Sequence, residues 1–183
     1  MIHGKNFIGS ELSAEGSGSF QTFSPLNLTE LPELFVEATK METELAVAKA
    51  CEAYKIYKKK SGKEKAAFLR AIADEIELLG PELIGRACAE SGLPEGRITG
   101  ERGRTVGQLR LFASVLEDGS WVEASIDPAL PERKPMARPD IRKMLQPVGP
   151  VVVFTASNFP LAFSTAGGDT ASALAAGNPV IVK

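Results

Sequence analysis

Through the middle of the chain, apolar residues recur every three or four positions; near its end they gather into short unbroken runs. The clearest periodic stripe is Leu69, Ile72, Ala73, Ile76 and Leu79, which predicts an amphipathic helix. Ser61-Gly62-Lys63-Glu64 starts that helix as a capping box, and Gly80 ends it. Pro81 opens a third helix carrying Leu83, Ile84, Ala87 and Cys88, and Gly92 closes it. A fourth helix is predicted from about Glu95 to Glu117. Its apolar face holds Ile98, the aliphatic stem of Arg102, Thr105, Val106, Leu109, Phe112, Ala113 and Leu116. The first helix is predicted from about Glu42 to Lys58, with Val47, Cys51, Tyr54 and Lys58 on one face and Leu45 and Ala48 beside it.

On either side of the helices the pattern is extended. Asn6–Gly9 and Phe20–Phe23 read as two strands of one hairpin, joined through the flexible Glu15–Ser19 cluster. Residues 26–38 read as irregular, with Pro32 breaking any helix. Trp121–Ile126 and Ile141–Leu145 are two short extended segments separated by Pro128, Pro131, Pro135 and Pro139, as suits an arm rather than a central sheet. Val151–Thr155 is a β-branched and aromatic run of the kind found in buried parallel strands. Thr155–Pro160 reads as a loop, Leu161–Ala176 as an Ala-rich helix with Gly167-Gly168 inside it and Gly177 as terminator, and Val180–Val182 as a second strand. Strand, helix and strand with short joints make a right-handed βαβ unit, so an α/β fold is expected, with helices packed on a parallel Rossmann-like sheet and a protruding β arm. The expected division is 1–119 for the hairpin and helices, 120–147 for the arm and 148–183 for the βαβ unit.

Composition narrows the possible functions. The 183 residues are 44% hydrophobic and carry a formal net charge of −2, so a packed core is expected and no global basic field draws nucleic acid or acidic membrane. Lys58-Lys59-Lys60 reads as a solvated helix end, complementing the negative helix terminus. No apolar run approaches the ~20 residues of a membrane span, and Met1–Asn6 lacks the apolar stretch of a secretory signal. Cys51 and Cys88 are the only cysteines and stand in no metal-binding pattern; they read as buried or half-buried free thiols of a cytoplasmic protein. His3 is the only histidine, which argues against a His-based zinc site or a Ser-His-Asp triad.

Candidate chemistry gathers at the βαβ unit. Ligands of such units bind outside the carboxyl ends of the strands, where Asn158 and Lys183 both emerge. An Asn amide there can donate to an oxyanion forming at a carbonyl carbon, or it can simply cap a helix beginning at Pro160. Lys183 suits a phosphate or ribose hydroxyl, or is a polar strand end. Arg97, Glu101, Arg104 and Gln108 lie on a second face of the fourth helix, readable as a solvated face or as a stripe that meets a carboxylate ligand. No GxGxxG or P-loop is present.

Phe154-Thr155-Ala156-Ser157-Asn158-Phe159-Pro160-Leu161-Ala162, followed by Ala173 through Lys183 (Ala-Leu-Ala-Ala-Gly-Asn-Pro-Val-Ile-Val-Lys), resembles the first cofactor-binding segment of the NAD(P)-dependent aldehyde dehydrogenases. Phe7-Ile8-Gly9 running into Phe23-Ser24-Pro25 is similar to their N-terminal hairpin. Ser91-Gly92-Leu93-Pro94, Arg97–Glu101 and Thr105–Arg110 look like the 2,5-dioxovalerate (α-ketoglutaric semialdehyde) dehydrogenases within that superfamily. The resemblance covers essentially the whole chain. It implies that Asn158 stabilises the oxyanion, that NADP or NAD lies along Phe154, Thr155, Ala156 and Ser157 and meets Lys183, and that Phe159 and Phe163 line the aldehyde tunnel. By the same resemblance Arg104 and Gln108 face that tunnel and hold the distal carboxylate of a semialdehyde. The arm would assemble a homo-oligomer, a dimer or tetramer. In the family reaction a Cys thiolate attacks the aldehyde, hydride passes to NAD(P)⁺, and water releases the acid with help from a general-base Glu. Neither Cys51 nor Cys88 sits in such a motif, so the nucleophile and base are expected beyond Lys183, and residues 1–183 alone are expected to be inactive. A truncated module that binds nucleotide or oligomerises without catalysis is the alternative reading, and a relative of the acyl-phosphate or acyl-CoA reductases is a third.

Overall fold

Two small antiparallel hairpins open the chain in the computed structural model, which describes residues 2–183. β1 (Asn6–Ile8) pairs with β2 (Glu11–Ser13) across a turn at Gly9, whose φ of +67° is natural for glycine. β3 (Ser19–Ser24) pairs with β4 (Thr29–Val36). The expected single hairpin between Asn6–Gly9 and Phe20–Phe23 is therefore incorrect, as is the irregular reading of 26–38. Each strand takes a neighbour within a few residues, because closing a short loop costs less chain entropy than closing a long one. Pro32 is accommodated by a register shift between Gln21 and Phe23, where no ladder N–H is required. Gln21 Nε2 fills part of that gap, donating to the Leu31 carbonyl at 2.9 Å.

Four helices follow: α1 (Lys40–Tyr57), α2 (Gly62–Leu78), α3 (Gly80–Ser91) and α4 (Glu95–Asp118). α2 begins at the expected Ser61 box, with Glu64 N–H donating to Ser61 Oγ and Ser61 N–H donating to the Glu64 carboxylate. α1 is corrected in its buried face. Val47 and Cys51 are exposed, and the inward residues are Glu42, Ala50, Tyr54 and Tyr57. The tyrosines set that rotation by donating to main-chain carbonyls, Tyr54 to Pro147 (2.6 Å) and Tyr57 to Leu174 (2.9 Å). The Cys51 thiol is thus exposed rather than buried, while Cys88 is half-buried.

Glu42 shows how α1 is fastened to the N-terminal hairpin. Its buried carboxylate accepts from Ser13 Oγ (2.5 Å), the Thr39 N–H (2.8 Å), Thr39 Oγ1 (3.0 Å) and the Glu15 N–H (3.2 Å). These donors, the Ser13 hydroxyl foremost, lower its pKa from 4.5 to about 2. A carboxyl whose folded pKa is depressed contributes stability that is complete above its unfolded pKa. That contribution is lost as pH falls from about 4.5 through about 2. Glu64 is also lowered to about 2, chiefly by Lys60 and Ser61, and adds to the same window. The expected result is that Glu42→Gln flattens, without abolishing, the loss of stability between those pH values, as read from urea midpoints at stepped pH.

The main core lies where α2, α4 and α5 (Gly168–Ala176) meet. Ala66, Leu69 and Ala73 of α2 pack against Val106, Leu109, Ala113 and Leu116 of α4 and Ala171 and Ala175 of α5. A second cluster joins Ile84 and Ala87 of α3 to Ile98 of α4, with Leu161 packed against it. After α4 a 3-10 turn at Ser120–Val122 replaces the expected extended start at Trp121. β5 (Ser125–Asp127) and β6 (Ile141–Lys143), within the two segments read as extended, then pair antiparallel. No helix among the described residues is long and apolar enough to cross a membrane.

β7 (Val151–Val153) and β8 (Val180–Val182) are parallel, in register Val151↔Val180 through Val153↔Val182, with α5 between them in the chain. The α/β, Rossmann-like expectation holds here. The predicted helix start at Leu161 does not: α5 begins only at Gly168, and residues 154–167 have no regular helix or strand. Gly167 is the N-cap and Gly168 the first helical residue, so the glycine pair opens the helix rather than lying within it. The reason is local. Gly168 N–H donates back to the Ala162 carbonyl (3.1 Å), and a Cβ added at Gly167 would stand 2.3 Å from that same oxygen. The loop folds onto itself at a point only glycine can occupy.

Candidate active site

The site is built by one face of α4 gripping the 154–167 loop. Arg97 donates to the Asn158 carbonyl (3.1 Å). The Glu101 carboxylate faces the N–H groups of Leu161 (3.2 Å) and Ala162 (3.4 Å) and pairs with Arg97 Nε at 3.2 Å. Thr105 Oγ1 lies 3.0 Å from the Leu161 carbonyl. Residues 97, 101 and 105 are successive turns of α4, so a straight helix holds an irregular loop through its peptide groups. Glu101 is only 5% exposed. The reading of Arg97, Glu101, Arg104 and Gln108 as one solvated stripe is corrected at Glu101, whose charge is spent on main-chain donors inside the protein.

Two aromatic rings of the loop stand against the same helix. Phe159 and Phe163 meet edge to face with centroids 5.6 Å apart. The Arg104 guanidinium lies 5.0 Å from the Phe163 centroid and 5.8 Å from that of Phe159, while Arg97 stands 4.9 Å from Phe159. Arg104 is exposed and has no carboxylate partner among the described residues, and Gln108 is half-buried one turn further along α4. The structure therefore brings together Asn158, Phe159, Phe163, Arg97 and Arg104.

The Asn158 side chain is exposed and makes no hydrogen bond among the described residues, although its carbonyl is held. No helix begins at Pro160, so the helix-cap reading of Asn158 falls and its amide is left available. Phe154, Thr155 and Ser157 are exposed and Ala156 half-buried just beyond the carboxyl end of β7. Lys183 is exposed at the end of β8. The two segments are tied, because Thr155 N–H donates to the Lys183 carbonyl (3.0 Å) and Lys183 N–H to the Val153 carbonyl (2.9 Å). This edge offers hydroxyls, an amine and an aromatic face, a donor set suited to the sugar and phosphate groups of a dinucleotide.

The chain matches the Aldehyde dehydrogenase family over residues 12–183. It belongs to that family. Alpha-ketoglutaric semialdehyde dehydrogenase 2 of Azospirillum brasilense is 54% identical over 183 residues, covering 100% of this chain and 35% of that protein. Alpha-ketoglutaric semialdehyde dehydrogenase of Acinetobacter baylyi is 46% identical over 181 residues, 99% of this chain and 34% of that protein. Among solved structures, PnpE in complex with nicotinamide adenine dinucleotide superposes with a TM-score of 0.78 at 26% identity, covering 100% of this chain and 35% of that one. This aldehyde dehydrogenase chain thus spans about a third of the length of the curated relatives it matches. Thr105 stands on the predicted apolar face of α4 and Arg97 and Glu101 on its second stripe; what the sequence pattern does not signal is that the three hold the loop by its peptide groups.

Proposed function

We propose that the protein carrying this chain oxidises a carboxylate-bearing semialdehyde, such as 2,5-dioxopentanoate, to the acid with NAD⁺ or NADP⁺. The observation that carries this reading is the free Arg104 guanidinium over Phe159 and Phe163, on the same loop as the free Asn158 amide. The relatives named alpha-ketoglutaric semialdehyde dehydrogenase support the substrate class. Asn158 donates to the aldehyde oxygen as negative charge grows on it. Arg104, with Gln108 beside it, pairs with the distal carboxylate, and the two rings exclude water from the carbon chain between. Phe154, Thr155, Ala156, Ser157 and Lys183 hold the dinucleotide. When bound, the dinucleotide accepts the hydride that leaves the aldehyde carbon.

Neither Cys51 on α1 nor Cys88 on α3 stands in the 154–167 loop or on the α4 face that holds it. The nucleophilic thiol and general base belong to parts of the protein outside these residues. The β5–β6 arm, with Ile126, Met136, Ile141, Met144 and Leu145 exposed, serves as a homo-oligomerisation arm. The protein works in the cytoplasm, where the exposed Cys51 stays reduced.

The test is Arg104→Ala in the full-length protein. A hydrogen-bonded charge pair of about 1.5–3 kcal/mol corresponds to a KM for 2,5-dioxopentanoate raised roughly 10- to 150-fold. KM for a neutral aldehyde of like size should stay within about twofold. Equal shifts for both would remove Arg104 from the substrate site. Failure of the unaltered protein to form NAD(P)H from carboxylated semialdehydes would sink the reaction itself.

A further inference from the structure

We propose that Arg97 and Glu101 are positioning residues that set where the Asn158 amide points, by clamping the backbone at Asn158 itself and three to four residues after it. The inference rests on the reading of Asn158 as the oxyanion donor. From 154 to 167 the loop has no ladder or helix to hold it, and the Asn158 side chain has no hydrogen-bond partner among the described residues. Its aim is therefore inherited from the main chain. Arg97 takes the Asn158 carbonyl at 3.1 Å, and Glu101 takes the N–H groups three and four residues later at 3.2 and 3.4 Å. The two side chains are themselves joined at 3.2 Å, so movement of one anchor drags the other.

A carboxylate 5% exposed is costly to bury unless its oxygens are satisfied, and here its hydrogen-bond partners among the described residues are all either Arg97 or the loop. Arg97 also stacks against Phe159 at 4.9 Å, so the clamp orients the residue that follows Asn158 as well. An oxyanion donor acts over a narrow range of distance, and a displacement of about 1 Å can cost roughly 100-fold in rate.

The experiment is a mutant cycle in the full-length enzyme. Glu101→Gln replaces one acceptor oxygen by an NH₂ group, which cannot serve both loop N–H groups and Arg97 together. It should lower kcat about 10- to 100-fold with KM for the dinucleotide unchanged within about twofold. Arg97→Gln should act in the same direction and, lying partly exposed, keeps the test open if Glu101→Gln does not fold. The decisive readout is the Asn158→Ala background, where either change should lower kcat by no more than about twofold, because there is no amide left to aim. The same full loss in that background would assign the pair a general structural role and overturn the proposal. So would kcat within about twofold of the parent for both single variants while Asn158→Ala alone is crippled. If Asn158→Ala itself keeps the parent kcat, the oxyanion reading fails, and the clamp has no amide to serve.

Discussion

Asn158→Ala in the full-length enzyme is expected to lower kcat by about 100- to 1,000-fold, equivalent to about 2.7–4 kcal/mol of transition-state stabilisation. The magnitude follows from how the residue is held. Its carbonyl is anchored by Arg97 while its amide is committed to nothing among the described residues, so the donor needs no hydrogen bond broken before it can act. Because the charge it meets exists mainly in the transition state, the loss should fall on kcat and leave KM for the aldehyde nearly unchanged. Dinucleotide affinity should also hold, since that ligand is assigned to residues 154–157 and Lys183. Asn158→Asp should be at least as severe, because a carboxylate repels a growing oxyanion. Steady-state kinetics with separate dinucleotide titrations check all of these. A loss confined to KM would make Asn158 a ground-state binding residue instead.

Leu109→Ala is expected to destabilise the fold by about 2–5 kcal/mol, the largest effect on stability of any single truncation considered. Leu109 is 1% exposed at the junction of α2, α4 and α5. Its neighbours Leu69, Ala73 and Ala113 sit on helices whose backbones cannot close inward without disturbing one another, so a cavity persists. α4 is also the helix that carries Arg97, Glu101, Arg104 and Thr105, so the activity lost on warming should track the unfolding transition. Leu111→Ala, two residues on and 56% exposed, serves as control and should change stability by no more than about 0.5 kcal/mol. Urea midpoints measured at constant slope decide the comparison. Equal midpoints for the two variants would show that the α2–α4–α5 junction is not the core.

The helices of residues 61–118 were legible because their information is local. Capping residues, glycine terminators and a 3.6-residue stripe each act within one or two turns, and the bounds of α2 and α4 match the predicted ones closely. The parallel β7–β8 pair was legible for a similar reason, since short β-branched runs joined by a helix admit one handedness. The family resemblance singles out Asn158, Lys183, Phe159, Phe163 and Arg104, and the fold brings Phe159, Phe163 and Arg104 into contact.

What tertiary structure alone decided lies where a residue's partner is distant in the chain. α1 turns Glu42 inward and Cys51 outward because Tyr54 and Tyr57 reach carbonyls far along the chain, which no helical periodicity encodes. The second hairpin forms across Pro32 because a register shift leaves residues 31–33 of its own strand outside the ladder, so no N–H is needed there. Beside the local fold-back of Gly167-Gly168 onto Ala162, Glu101 and Thr105 take up peptide groups of Leu161 and Ala162 from across the fold, which the Ala-rich composition does not encode. By itself the sequence determined the helices, the parallel βαβ unit and which residue types stand at its edge. The structure decided that Glu101 is a buried clamp rather than a surface charge, because only packing α4 against the loop brings that carboxylate to two main-chain donors sixty residues away.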